Sequence, residues 1–163
     1  MRQRAALPVF TSQLRQDVRM TNFTDVGEFH EKFDLPYVDE DIAPVVGTGP
    51  GPREVPTSLL EFRYNFLDEE LTEFEDGMNE HDIAKMADAL IDLVYVAMGT
   101  AHFLGLPWEE LWDDVQRANM QKVRAAADGS DSKRESSWDV VKPEAWEPPH
   151  TGDILVKHGW MPF

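Results

Sequence analysis

The chain has 163 residues, with 31 acidic against 15 basic side chains, a formal charge of -16, no cysteine and 42% apolar residues. At this length one domain forms naturally and about 70% of the unfolded surface can be buried, while the lack of cysteine excludes a disulfide framework and a thiolate metal site. The net charge repels nucleic-acid backbones and anionic membranes, and the one long apolar stretch, residues 83–106, is broken by Lys85, Asp88, Asp92 and His102, so no membrane span is expected.

Residues 1–19 carry Arg2, Arg4, Arg15 and Arg19 against Asp17, without an apolar run. They predict a poorly ordered extension over 1–20 and no secretory signal. A short helix follows near 24–34, capped by Thr24, with Val26, Phe29 and Phe33 inward and Leu35-Pro36 ending it. Residues 36–56 are rich in Pro and Gly and read as a loop; Gly47-Thr-Gly-Pro-Gly lacks the Lys-Ser/Thr of a phosphate-binding P-loop. Thr57 or Ser58 caps a second helix over 57–76, stopped by Gly77, with Leu60, Leu67, Leu71 and Phe74 as its core stripe.

The third helix is expected over 80–104, ended by Gly105 and Pro107. It is apolar nearly all round, the pattern of a central bundle helix or a subunit interface. Pro107 opens a fourth helix over 108–125, with Leu111, Trp112, Val115, Ala118 and Val123 inward. Residues 128–137 read as a flexible polar loop. The Trp-rich stretch after it reads as an extended segment packing back, with a last turn or helix at Asp153–His158. The expected organisation is an N-terminal extension (1–20), a helical domain (21–127) and an irregular C-terminal tail (128–163) packed on the bundle or on a partner subunit.

Between Glu61 and Asp92 eleven acids stand against only Arg63 and Lys85. At 100° per residue, Phe66, Glu69, Glu70 and Glu73 share one face of the second helix. Asp88 and Asp92 lie one turn apart inside the apolar third helix. Like charges three or four residues apart on a helix cost roughly 0.2–0.5 kcal/mol per pair, and a carboxylate buried without a partner costs far more. A hard divalent cation between the helices answers both, since Mg²⁺ takes oxygen ligands and keeps positions open for phosphate oxygens. This predicts metal-dependent phosphate chemistry.

Rival carboxylate sites fit less well. The lone Glu-x-x-His, Glu147 to His150, lies in Glu-Pro-Pro-His, unsuited to a di-iron helix. His30-Glu31 has Asp34 where a zincin needs its second His. Glu75-Asp-Gly is too short for an EF-hand loop.

The pattern Arg63-x-x-Phe66-x-x-Glu69-Glu70-x-x-Glu73, then Asp88-Ala-Leu-x-Asp92-Leu-x-Tyr95-Val with Gly99-Thr-Ala, then Ala118-Asn-Met-x-Lys122, resembles the all-α nucleotide pyrophosphohydrolases. These are the MazG-like and phosphoribosyl-ATP pyrophosphohydrolase superfamily, in the version often met in phage genomes, and the similarity runs over about residues 22–124. The resemblance implies an all-α, four-helix-bundle-like fold and a homodimer or homotetramer in the cytoplasm, the host's if the protein is phage-encoded. It implies Mg²⁺, with Mn²⁺ as the alternative ion, and cleavage between the α- and β-phosphates of a nucleoside triphosphate or phosphoribosyl-ATP. No nucleic-acid polymer and no membrane is expected as a partner.

Carried over by position, Glu69, Glu70 and Glu73 match the family's first acidic motif and Asp92 the last acid of its second. Relatives often place Glu where this chain has Ala89, so Asp88 must serve instead, and Lys85 stands where an acid is common. Metal ligation thus falls to Glu70, Glu73, Asp88 and Asp92, and water activation to Glu69, alongside Glu70. Substrate contacts fall to Arg63, Lys85, Asn119 and Lys122, with Arg63 equally open as a structural ion-pair partner of a helix-two Glu. Ala89 and Lys85 also keep a second reading open: a catalytically weak or inactive nucleotide-binding regulatory module.

Overall fold

A computed structural model describes residues 21–35 and 57–160. In chain order these form α1 (Asn22–Lys32), α2 (Thr57–Glu80), α3 (Ile83–Phe103), α4 (Trp108–Met120), β1 (Val123–Arg124), β2 (Val140–Val141) and α5 (Thr151–Lys157). The fold is all-α apart from the two-residue strands. The expected extension at 1–20 and the loop at 36–56 lie outside the described residues. No helix among the described residues is long and apolar enough to cross a membrane.

α1 starts one turn earlier than expected. Thr21 is its cap, in a reciprocal capping box with Thr24: each accepts from the other's backbone N–H, at 3.4 and 2.8 Å. Val26 is buried as expected, but the next inward position is His30, while Phe29 and Phe33 remain exposed. His30, four residues on, lies on the opposite side of Val26 from Phe29 and Phe33, so the buried stripe is rotated from the expected one.

α2 does not stop at Gly77. It runs on to Glu80, and Gly77 is buried where a Cβ would lie 2.9 Å from both Cγ and the backbone N of Met86. The glycine is there to let α2 and α3 approach. The helix ends at His81, whose φ of 56° is left-handed. The His81 N–H donates to the Met78 carbonyl (3.2 Å) and the Asp82 N–H to that of Gly77 (2.9 Å), a Schellman motif without a glycine. Asp82 then caps α3, its Oδ1 accepting from the N–H groups of Ala84 (2.9 Å) and Lys85 (3.1 Å). α3 ends in the same motif, this time with Gly105 at φ 61° and Pro107 beyond, as the sequence indicates.

α4 is shorter than expected. After Met120 the chain turns into β1, which pairs antiparallel with β2 in the register Val123↔Val141 and Arg124↔Val140. Ala118 is fully buried, yet Trp112, Val115 and Val123 are exposed. Residues 128–137 are not the loose loop their composition suggests. Asp131 accepts from the Ala126 N–H (2.8 Å), Asp128 from that of Ser130 (3.1 Å), and buried Ser132 donates to Asp139 (2.7 Å). The tail lies against α4. Trp146 Nε1 donates to the Ala118 carbonyl (2.7 Å), Arg117 to that of Pro148 (2.9 Å), and Lys157 at the end of α5 and the capping His158 bind Glu110 at 2.7 and 2.8 Å.

Candidate active site on the α2–α3 hairpin

The two helices pack antiparallel in a register that can be read from a contact at each end. Gly77 meets Met86 near the turn. At the far end Arg63 donates to Thr100 Oγ1 (3.0 Å) and to the Val96 carbonyl (2.7 Å), and its guanidinium lies against Gly99. Midway stands Glu70, for which Asp92 is the strongest charged neighbour. Arg63, Glu70 and Gly77 are seven residues apart, two turns each, so they share one stripe of α2 facing α3.

Glu70 is half-buried, whereas Glu69, Glu73, Asp88 and Asp92 are exposed. The Glu70 carboxyl is pushed up from its ordinary value, first by burial and then by Asp92, Glu73, Glu69 and Asp88 in that order. All four carboxylates therefore act on one point. No ion pair among the described residues involves any of the five; Lys85 instead binds Glu80 (3.1 Å) and Asp76 (3.8 Å). The sequence-based premise that Asp88 and Asp92 are buried is not met. The apolar residues around them, among them Ile83 and Ile91, are themselves 75% and 67% exposed, so the apolar run does not enclose its acids.

The donor set, all carboxylate oxygens with no competing cation, suits a hard divalent ion by chemistry. Among the described residues no three His, Cys, Asp or Glu side chains are gathered closely enough to hold a metal. The fit is thus one of charge and helix face, and not of assembled ligand distances. Ala89, where relatives often carry Glu, is fully buried on α3.

Arg63 is turned away from the acids. Its guanidinium lies 5.5 Å from the Phe66 ring centroid and 5.1 Å from that of Phe103, and both of its hydrogen bonds go to α3. Asn119 and Lys122 meet each other at the end of α4, the ammonium donating to Asn119 Oδ1 at 2.8 Å. Sequence reasoning weighed His30 only as the start of an incomplete zinc motif and did not place it in the core. It is buried, its ring 4.8 Å from His102 and 4.7 Å from Phe103, and its Nδ1 has no hydrogen-bond partner among the described residues. Burial first, then His102 and Arg63, hold its pKa down to about 4. It is thus a neutral imidazole packed into the α1–α3 contact. Its four-residue spacing from Val26 is the signal that would have found it.

Residues 48–119 match the family Phosphoribosyl-ATP pyrophosphohydrolase. The match, to a family of the MazG-like and phosphoribosyl-ATP pyrophosphohydrolase superfamily, takes in α2, α3 and nearly all of α4 and supports nucleotide pyrophosphohydrolase activity in general. No curated protein matches the chain.

Proposed function

We propose that the protein is a Mg²⁺-dependent nucleoside triphosphate pyrophosphohydrolase that adds water across the α–β phosphoanhydride, releasing a nucleoside monophosphate and pyrophosphate. The observation that carries this reading is Glu70, half-buried, raised in pKa first by that burial and then by four neighbouring carboxylates, and without a Lys or Arg partner among the described residues. Glu70, Glu73, Asp88 and Asp92 would hold the ion. When bound, it supplies positive charge for the phosphate oxygens and for the pyrophosphate as its charge develops. Glu69, exposed on the adjoining face, orients the attacking water and takes its proton. Asn119 and Lys122, already joined, present one ammonium to the nucleotide. The bonds of Arg63 to Thr100 and Val96 suit positioning of the hairpin better than phosphate contact. Those of Lys85 to Glu80 and Asp76 hold its charge at the hairpin turn.

A homodimer or homotetramer is part of the same proposal. Support comes from the apolar faces that one chain leaves open: Leu71 on α2 and Ile83, Leu90, Ile91 and Val94 on α3. The substrate is a (d)NTP or a related nucleotide such as phosphoribosyl-ATP. A pyrophosphate-release screen over these nucleotides with Mg²⁺ tests the proposal. Release is expected with at least one, and Glu73→Gln or Asp92→Asn should abolish it. A silent nucleotide-binding module is the second reading, favoured by the buried Ala89 and the dispersed carboxylates. It predicts metal-dependent nucleotide binding by calorimetry without release across the whole screen.

A further inference from the structure

In a chain with twice as many acids as bases, positive charge collects around one cavity of about 390 Å³ beside the β1–β2 ribbon. Its lining includes Lys122, Lys133, Arg134 and Lys142 against Asp131 and Asp139. Of the two acids, Asp139 is already satisfied. It accepts from Arg134 at 2.9 and 3.0 Å, from Ser132 Oγ at 2.7 Å and from the Val140 N–H at 2.8 Å. These bonds hold the Asp139 carboxyl below the usual range, Ser132 and the Val140 N–H contributing most. Asp131 Oδ1 is bound to the Ala126 N–H.

The three lysines are different. Lys122 has only the neutral Asn119 amide, and Lys142 lies 3.9 Å above the Trp146 ring. Among the described residues none of the three reaches an acidic partner within ion-pair distance. With Asp139 paired to Arg134, three ammonium groups share the cavity with the single carboxylate of Asp131, and the net positive charge that remains is one an anion offsets. The surrounding loop is already shaped. Gly129, at φ 72°, leaves no room for a Cβ beside the Ser136 N and the Glu135 carbonyl, and Ser132 is buried beneath it.

We propose that this cavity is a polyphosphate-binding site, with Lys122, Lys133 and Lys142 as its cationic contacts and the Arg134–Asp139 pair as its scaffold. The anion has two sources with one chemistry: the phosphate chain of a nucleotide, or pyrophosphate set free. The inference rests on the pyrophosphohydrolase reading only for that source.

The test is isothermal titration calorimetry of sodium pyrophosphate into the full chain, in EDTA, with wild type, Glu73→Gln and the double variant Lys133→Gln/Lys142→Met. Methionine keeps an apolar stem over Trp146, and both lysines are exposed, so the double variant should fold. Saturable binding that weakens with salt is expected for wild type and for Glu73→Gln, and should fall at least about tenfold in the double variant. No heat with wild type, or equal affinity in the double variant, overturns the site whatever the turnover. Binding here, with no pyrophosphate release across the nucleotide screen in Mg²⁺, would sink the enzymatic reading and leave the site standing. With turnover present, a KM raised at least about tenfold at constant kcat in the double variant identifies the nucleotide's phosphates as the anion. Relief of product inhibition at constant KM identifies free pyrophosphate.

Discussion

The Glu70→Gln substitution keeps the size of a half-buried side chain and removes one of five neighbouring carboxylates. Glu73, one turn on, contributes a like-charge repulsion of roughly 0.2–0.5 kcal/mol. Asp92 across the helix pair is the stronger neighbour, with Glu69 and Asp88 behind it. Together these put the gain from Gln at about 1 kcal/mol in metal-free buffer, discounted for the solvent that reaches the group. In a chain of this size that is a rise of roughly 2–4 °C in Tm. The sign with pH follows from linkage. The carboxyl titrates higher in the folded state than in the unfolded chain, so the folded state binds the proton more tightly. Wild type therefore recovers stability as pH falls from neutral through the folded pKa, and the gap between wild type and variant closes. Thermal melts in EDTA at neutral and mildly acidic pH measure this, and parallel melts with Mg²⁺ should show a smaller metal-induced rise for the variant. A variant less stable than wild type without metal, or a gap that ignores pH, would refute the reasoning that Glu70 is held against its neighbours' charge.

Other substitutions probe the frame that holds Glu70. Gly77→Ala must push Met86 aside at 2.9 Å and should cost roughly 1–3 kcal/mol in a urea melt, outweighing alanine's helical preference. His81→Gly removes the strain of a left-handed L-residue and should add about 0.5–1 kcal/mol in the same melt. Arg63→Lys loses the planar fork shared by Val96 and Thr100 and should cost about 1–3 kcal/mol, with lower pyrophosphate release through a shifted hairpin. His30 titrates at about 4 in the fold against 6.5 for the free side chain. Between those values the unfolded chain binds the extra proton, so its contribution is lost as pH falls, by up to about 1.4 kcal/mol per pH unit. His30→Leu should flatten that part of the stability–pH curve.

The places where sequence and structure part company share a cause. Gly105 reads correctly as a helix end because a glycine occupies the left-handed position after α3. After α1 and α2 the same position is filled by Asp34 and His81, at φ 49° and 56°, residues that carry no such signal. Gly77, nearby, was the natural but wrong choice for the end of α2; its role is the close approach to Met86. β1 and β2 are two residues each, too short for an alternating pattern to register. Burial was misjudged on α3 for another reason. A helix apolar all round looks buried in sequence whether its cover is the same chain or a second one, and here the Ile83 and Ile91 face is open.

The facing of the acids survives that misjudgement because it rests on periodicity, not on burial. The 100° repeat put Glu69, Glu70 and Glu73 on one side of α2, and the antiparallel return decides which of them meets Asp92. Two features unrelated to metal or phosphate set that return. A missing side chain at Gly77 lets the helices touch at one end, and the Arg63 fork ties them at the other, each two turns from Glu70. With both ends fixed, sliding α3 by one residue would rotate Asp92 by 100° away from Glu70. It would also take the Val96 carbonyl from Arg63 and drive Met86 off its glycine. The repulsion among the five carboxylates is therefore borne by contacts outside the acidic face, and that is how the hairpin can keep its charges together at a cost in stability.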